Sequence, residues 1–331
     1  MKQHSTMNTL KSIFKIEKRP KKGLLAVEWV VLGYMALTLL IMLFTYTKIE
    51  NPESMLWGRI RIAVMTIALW TVYRMAPCRF THFCRIAAQM ALLSWWYPDT
   101  YEFNRMFPNL DHIFALWDQQ LFGCQPSLLF CQAISNPVFS ELMDLGYTAY
   151  FPMILAVTLF YFLWRYEQFG MASFVILTSF FIYYIIYIIV PVTGPQYYYN
   201  AVGLDDIARG LFPNVHDYFA THSEALTSPG YKDGIFYNMV TEAHAAGERP
   251  TAAFPSSHVG ISTILMILAW QSRNRRLFYC LLPFYTLLCV STVYIYAHYA
   301  VDVIAGWVSA ALLYVALYFI YTKQIQGTNR S

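Results

Sequence analysis

The sequence predicts an all-α integral membrane protein, a bundle of about six to eight transmembrane helices. Of the 331 residues, 57% are hydrophobic and only 13% are charged, which is about half the charged share of an ordinary soluble domain. Aromatic residues make up 18% of the chain, as expected where many helix ends lie at a lipid–water interface. No basic tract typical of nucleic-acid binding occurs outside the N-terminus, so no nucleic-acid partner is expected.

Eight apolar stretches are candidates for the spans, because a bilayer core requires about 20 apolar residues of helix. Glu28 lies in the first stretch, and its carboxylate is expected to reach the nearby interface. The stretches cover residues 24–46, 60–77, 84–97, 140–164, 169–192, 256–271, 277–297 and 302–321.

Two longer segments separate these stretches. Residues 98–139 are rich in Asp, Pro and aromatic residues, and their middle is expected to form an amphipathic helix in the membrane interface. Residues 194–255 form the largest polar segment, with many Gly, Pro, Asp and His residues. This composition predicts an ordered cap that contains short helices.

The distribution of Lys and Arg predicts the orientation, because short basic loops favour the cytoplasm. With eight spans, the basic N-terminus, the basic turn 272–276 and the C-terminal tail all fall on one side. Lys48, Arg59 and Arg61 fall on the other side and do not fit. The pattern predicts cytoplasmic termini, with both long segments and the helix ends near residues 258 and 298 on the opposite face.

Two histidines stand at the ends of neighbouring spans. His258 lies in the first turn of one span and His298 at the end of the next, so antiparallel helices place both at one membrane face. Asp302 follows His298 by four residues, so the two share a helix face if the segment is helical. A carboxylate that holds one imidazole nitrogen raises the basicity of the other. We therefore expect His298 to be a nucleophile, Asp302 to orient it and His258 to protonate a leaving oxygen, which suffices for phosphoryl transfer through a phosphohistidine.

The stretch FPSSHVG, residues 254–260, begins the span that carries His258. Pro255 favours a helix start, and Ser256 and Ser257 can cap free N–H groups. Because a helix N-terminus with free N–H groups binds anions, we expect a phosphate site beside His258. The alternative is a plain helix cap, which is the more frequent role of such a sequence.

Other interpretations of the histidines are also open. A histidine at a span end is often only a hydrogen-bonded interface residue, and a His–Asp pair can be structural or half of a metal site. No third ligand stands at a recognisable spacing, so neither a metal nor a cofactor is expected. A transporter or channel would use intramembrane His and Asp residues as a proton relay, but here the polar groups gather at one end of the spans.

The histidine motifs resemble the second and third signature motifs of the type 2 phosphatidic acid phosphatase superfamily. The family patterns are Pro-Ser-x-His, and Ser-Arg followed by five residues, His, three residues and Asp. FPSSH and STVYIYAHYAVD match them at Pro255, Ser256, His258, Ser291, His298 and Asp302.

The resemblance covers residues 140–321 well and implies a catalytic membrane core there. The remaining regions are then a basic cytoplasmic N-terminus (1–23), N-terminal spans with the interfacial segment (24–139) and a cytoplasmic tail (322–331).

The phosphate clamp of the family is incomplete in this chain. Thr292 replaces the arginine of the third motif, and the first motif, Lys-six residues-Arg-Pro, is absent. Gln196 stands where an arginine is expected, and Glu242 stands where Arg249-Pro250 would need a lysine. The candidate phosphate-binding residues are Ser256, Ser257, Ser291, Gln196 and Arg249, with Lys232 and Arg209 as further candidates for the missing cation.

Two stretches resemble a branch of the family, the sphingolipid head-group transferases such as inositol phosphorylceramide synthases. These stretches are HYAVDV and LDHIFALWDQQLFGCQPS. The similarity implies a lipid phosphotransferase in which an alcohol, rather than water, resolves the covalent intermediate. The expected partners are the membrane, a phospholipid or sphingolipid substrate, with phosphoinositol as one head group, and a ceramide-like or polyol acceptor. A lipid phosphate phosphatase is the alternative.

Overall fold

The computed structural model describes residues 12–18 and 20–328 of the chain. These residues form α-helices and two short 3-10 helices, and no β-strand occurs among them. The predicted all-α class is therefore confirmed. The α-helices are α1 (Ala26–Thr45), α2 (Pro52–Met75), α3 (Arg79–Ala91), α4 (Leu93–Asn104), α5 (Asp111–Phe122), α6 (Pro126–Ala133), α7 (Pro137–Thr148), α8 (Tyr150–Trp164), α9 (Tyr166–Ile189), α10 (Pro195–Val202), α11 (Leu204–Ala208), α12 (Ile235–Gly247), α13 (Ser257–Gln271), α14 (Arg275–Tyr294) and α15 (Ala300–Thr328).

The described residues contain five helices that are long and apolar enough to cross a membrane. A sixth span results if α7 and α8, which are bent by 44° relative to each other, are taken as one broken span. The expectation of eight stretches is corrected in two places. Residues 84–97 are divided between α3 and α4, and α13 is apolar but has only 15 residues. The five spans are Ala26–Lys48, Pro52–Met75, Tyr166–Ile189, Arg275–Tyr294 and Ala300–Lys323.

The first compact unit, Met1–Asp99 with Thr158–Thr178, contains a fully buried ion pair. Arg85 of α3 donates through Nε and Nη2 to the two carboxylate oxygens of Glu28 in α1, at 2.7 and 2.5 Å. Glu28 also accepts the N–H of Leu25 at 2.7 Å, which caps α1. The Glu28 carboxylate is buried and does not extend to solvent, because Arg85 neutralises its charge inside this unit.

The second compact unit, Thr100–Val157 with Ser179–Ser331, contains both histidines. In it α13 packs against α14 and α15, and α7 packs against α12 and α14. Gly306 allows α15 to approach the start of α13 closely, because a Cβ at that position would lie 2.8 Å from the carbonyl oxygen of Ser256. Most of the predicted interfacial segment, from Thr100 onward, folds within this unit.

Side-chain caps fix where the helices around the histidines begin. Asn136 accepts the N–H groups of Val138 and Phe139 at the start of α7. Ser256 accepts the N–H of Val259 at 3.3 Å at the start of α13. Ser256 therefore has the capping role that was one of the two interpretations of FPSSHVG.

Removal of Arg85 alone should destabilise the protein strongly. Arg85→Met leaves the Glu28 carboxylate buried without its partner, which typically costs about 3–5 kcal/mol. Glu28→Gln combined with Arg85→Met removes both charges and should recover much of that loss. Thermal unfolding in detergent micelles measures the difference. A double variant that is less stable than Arg85→Met would contradict this account.

Candidate active site

Three loops meet around His298 and are joined through their backbones. The N–H of Ala253 donates to the carbonyl of Val192 at 3.0 Å, and the N–H of Gln196 donates to the carbonyl of Tyr296 at 2.9 Å. These contacts hold the three loops in one arrangement. The loops follow α9, precede α13 and connect α14 to α15.

Close backbone approach within these loops requires a glycine at position 194. Gly194 has a φ of 93°, and a Cβ there would lie 2.7 Å from the carbonyl oxygen of Ala297. Ala252 and Tyr296 adopt φ values of 72° and 66°, which costs about 1–3 kcal/mol for a residue other than glycine. The surrounding hydrogen bonds offset this strain and keep the loops in place.

The structure brings the two predicted histidines together. Nδ1 of His298 lies 2.8 Å from the carbonyl oxygen of Ala253. This nitrogen carries the proton, because a carbonyl can only accept, so Nε2 of His298 holds a free lone pair. That Nε2 atom faces Nδ1 of His258 at 3.5 Å. His298 therefore presents a lone pair, and His258 presents an N–H group, at the same point.

Asp302 lies beside His298 but is not its closest acceptor. One carboxylate oxygen of Asp302 is 3.6 Å from Nδ1 of His298 and accepts the N–H of Tyr299 at 2.9 Å. The other oxygen is buried without a hydrogen-bond partner. The Ala253 carbonyl thus fixes the tautomer of His298 in the structure, and the orienting role of Asp302 stays a prediction.

Burial keeps His298 neutral. His298 lies in the loop between α14 and α15 and is 3% exposed. Removal from water lowers its pKa to about 4, and the hydrogen bond to the Ala253 carbonyl raises it only in part. A neutral imidazole with a free lone pair is the form that a nucleophile requires.

Aromatic rings hold His258 in position. Its ring stacks on Tyr147 with 4.7 Å between ring centres and an interplanar angle of 28°, and Tyr150 lies 4.5 Å away from it. Tyr187 accepts the N–H of Ser257 and donates to the carbonyl of Pro255, both at 3.1 Å. The start of α13 is thereby fixed at the neighbouring positions.

The other predicted site residues have mixed surroundings. The Ser256 hydroxyl caps α13, and the Ser291 hydroxyl donates to the carbonyl of Leu288 in its own helix. Gln196 is buried next to the loop of His298, and its side-chain oxygen has no hydrogen-bond partner. Arg249 is exposed.

Thr292, which replaces the arginine of the third motif, is buried and hydrogen-bonded within the protein. Its side chain is fully buried and donates to the carbonyl of Cys289 at 3.0 Å. Its own carbonyl accepts the N–H of His298 at 2.9 Å. Position 292 therefore supports the backbone of the loop that carries His298 and offers no positive charge there.

Two buried aspartates of α5 were missed by the sequence analysis. Asp111 accepts the backbone N–H groups of Thr193 and Gly194 at 2.7 and 2.8 Å and the hydroxyl of Tyr299 at 3.0 Å. Burial raises its pKa, and these donors act against that change. Asp111 thus ties the loop after α9 to the residue that follows His298.

Asp118 caps α15, the helix that follows the loop of His298. Its two oxygens accept the N–H groups of Ala300 and Val301, each at 2.9 Å. Burial raises its pKa to about 6, although both N–H donors lower it. Asp111 and Asp118 are seven residues apart, so they share one helix face, and that spacing was the available signal in the sequence.

A comparison with protein families identifies the fold that carries this site. The family model of the PAP2 superfamily matches residues 112–316, more than half of the chain. The chain belongs to the PAP2 superfamily. The match includes both histidines and Asp302, and it supports phosphoester chemistry of the lipid phosphatase type without distinguishing a phosphatase from a transferase. No curated protein and no solved structure matches the chain.

The geometry of this PAP2 protein suits phosphoester chemistry. One imidazole offers a lone pair and the other an N–H group, which are the parts needed for attack on phosphorus and for protonation of the leaving oxygen. No group of three or more His, Cys, Asp or Glu side chains suited to a metal ion occurs among the described residues.

Loss of the Asp118 cap should slow the chemistry more than it weakens binding. Asp118→Ala leaves the Ala300 and Val301 N–H groups without acceptors, and the resulting shift of His298 should lower kcat about 10- to 100-fold. Asp118→Asn keeps one acceptor oxygen and should lose less. Turnover of bis(p-nitrophenyl) phosphate measures kcat and KM, with Asp205→Ala, at an exposed aspartate, as the control. A fall confined to KM would contradict this role.

The pH profile of kcat/KM should have its acid limb near pH 4. Bis(p-nitrophenyl) phosphate needs no general acid for its leaving group, so the acid limb of kcat/KM reports the protonation of His298, whose pKa is about 4 instead of 6.5. A limb near pH 6.5 that belongs to His298 would contradict the buried, neutral state.

The same lowered pKa makes the folding stability depend on pH. Because the folded state favours the neutral ring of His298, its contribution to the free energy of unfolding is present above pH 6.5 and is lost as the pH falls toward 4.

Proposed function

We propose that this PAP2 protein is a lipid phosphotransferase that moves a phospho-head group from one lipid to an alcohol acceptor through a phosphohistidine. The observation that carries the proposal is the pair of facing nitrogens, Nε2 of His298 and Nδ1 of His258, 3.5 Å apart. The hydrogen bond from Nδ1 of His298 to Ala253 leaves the attacking nitrogen unprotonated.

In the first step, Nε2 of His298 attacks phosphorus and the bond to the leaving lipid oxygen breaks. His258, as the imidazolium, gives its Nδ1 proton to that oxygen and becomes neutral, so the leaving lipid departs as an alcohol. Asp302 stabilises the positive charge that His298 acquires as the new P–N bond forms. In the second step, His258 takes the proton of the acceptor hydroxyl, whose oxygen attacks phosphorus while the P–N bond breaks.

Stabilisation of the phosphoryl oxygens is assigned to groups around the start of α13. The helix N-terminus supplies aligned N–H dipoles, and Ser257 and the amide of Gln196 supply further donors. Ser256 and Ser291 act there through the backbone that their hydroxyls brace. Arg249 is the cation of the nearby loop that we assign to the phosphate. Electrostatic stabilisation of this kind is usually the largest catalytic term.

We favour transfer over hydrolysis because of the departures from the family motifs and because of the resemblance to inositol phosphorylceramide synthases. The donor is then a phospholipid such as phosphatidylinositol, and the acceptor is a ceramide-like lipid or a polyol. The proposed orientation has both termini in the cytoplasm and the site on the opposite face, in agreement with the basic segments at 1–23 and 272–276.

Two incubations of the purified protein test this function. Radiolabelled phosphatidic acid should release little free phosphate, whereas labelled phosphatidylinositol with ceramide should yield a labelled sphingolipid. Release of phosphate without transfer would favour the phosphatase. Neither product, together with no acid-labile phosphoenzyme, would overturn phosphohistidine chemistry.

Variants in the same assay distinguish the proposed nucleophile, His298, from the proposed general acid, His258. His298→Ala should abolish the phosphoenzyme and all turnover, and His258→Ala should slow turnover of lipid substrates about 10²- to 10⁴-fold. His222→Ala, at an exposed histidine of the large loop, is the control and should leave both unchanged. Equal activity of His298→Ala and the wild type would show that the nucleophile is wrongly assigned.

A further inference from the structure

A third histidine lies next to the catalytic pair. His244 of α12 contacts the Tyr147 ring at 5.9 Å between centres and at an angle of 85°. The same Tyr147 ring stacks on His258 at 4.7 Å. Tyr147 is therefore a shared neighbour of His244 and of the proposed general acid.

The placement of His244 is built into the fold. Glu141 of α7 accepts the N–H groups of Phe236 and Tyr237 at 3.1 and 3.0 Å, which fixes the start of α12 against α7. Tyr147 lies further along the same α7, and His244 lies further along α12. The helix pair thus delivers the ring of His244 to the ring of Tyr147.

The Glu248 carboxylate prepares Nε2 of His244 to accept a hydrogen bond. Its Nδ1 lies 3.2 Å from a carboxylate oxygen of Glu248, one helical turn further on. The carboxylate selects the tautomer with the proton on Nδ1 and makes Nε2 a stronger acceptor. That Nε2 atom is buried and has no hydrogen-bond partner, and a buried acceptor without a donor is costly, about 1–3 kcal/mol.

We infer that His244, held by Glu248, binds a second hydroxyl group of the acceptor alcohol beside the one that reacts. This inference rests on the proposed function and deepens it, because it names the acceptor class: a diol or polyol whose neighbouring hydroxyl donates to Nε2 of His244. The reacting hydroxyl gives its proton to His258, and no proton moves to His244. A site built around such an acceptor discriminates against alcohols that lack the second hydroxyl.

Ethylene glycol and ethanol test the inference, because they have the same carbon chain and differ by one hydroxyl group. The enzyme is supplied with bis(p-nitrophenyl) phosphate, and the p-nitrophenolate burst reports formation of the phosphoenzyme. The ratio of the two alkyl phosphodiesters then reports the choice of acceptor. The wild type should favour ethylene glycol about tenfold, the effect of one hydrogen bond.

His244→Phe should keep the burst and the ring packing but lose the preference for ethylene glycol. His244→Gln retains an acceptor and should recover part of it, whereas His222→Phe, at the exposed histidine, should behave as the wild type. If His244→Phe shows no burst because it fails to fold, Glu248→Gln decides, since it leaves the ring in place and should reduce the preference.

An unchanged preference in His244→Phe, or in Glu248→Gln when the first variant does not fold, would overturn the inference. So would a wild type that does not distinguish the two alcohols. In each of these cases the burst persists, and the phosphohistidine chemistry stands. Absence of the burst in the wild type would instead overturn the proposed function.

Discussion

The buried carboxylate of Asp111 is the contact on which the arrangement of the site depends. It accepts the Thr193 and Gly194 N–H groups and the Tyr299 hydroxyl, so one side chain joins the loop after α9 to the loop of His298. Burial of a carboxylate is costly unless its oxygens are hydrogen-bonded. The loops supply those donors, and the carboxylate in turn fixes their positions. Asp118, on the same helix face, extends this support to the start of α15.

His298 is oriented mainly by backbone groups. The Ala253 carbonyl holds Nδ1 of His298 at 2.8 Å, and the Thr292 carbonyl holds its N–H at 2.9 Å. Backbone acceptors are as rigid as the loops that carry them, and these loops are joined by their own hydrogen bonds. Positions that differ from the family motif, such as Thr292, can therefore still support His298, because their backbone groups, and not their side chains, hold it.

The polar groups around His258 divide into two sets. On one side, His298 and the loops around it face the position proposed for phosphorus. On the other, Tyr147 contacts both His258 and His244, and His244 is paired with Glu248. In the proposed mechanism, this arrangement gives the phosphoryl group and the acceptor alcohol separate binding groups beside His258. The proposal also gives the large polar loop, which carries α12, a part in the choice of acceptor.

The sequence by itself determined the all-α membrane class, because the excess of apolar residues leaves few alternatives, and it predicted that His258, His298 and Asp302 are site residues from their spacing. Those patterns lie within one helix or one helical hairpin, so they are visible in a short stretch of sequence. Only the tertiary structure decided that the carbonyl of Ala253, 45 residues from His298, accepts the hydrogen bond from Nδ1 of His298. It also decided that Glu28 pairs with Arg85, and that α5 and α12 bring Asp111, Asp118 and His244 to the site. A hydrogen bond between distant segments leaves no periodic trace in a sequence, and the packing of the chain determines which buried donor meets which acceptor.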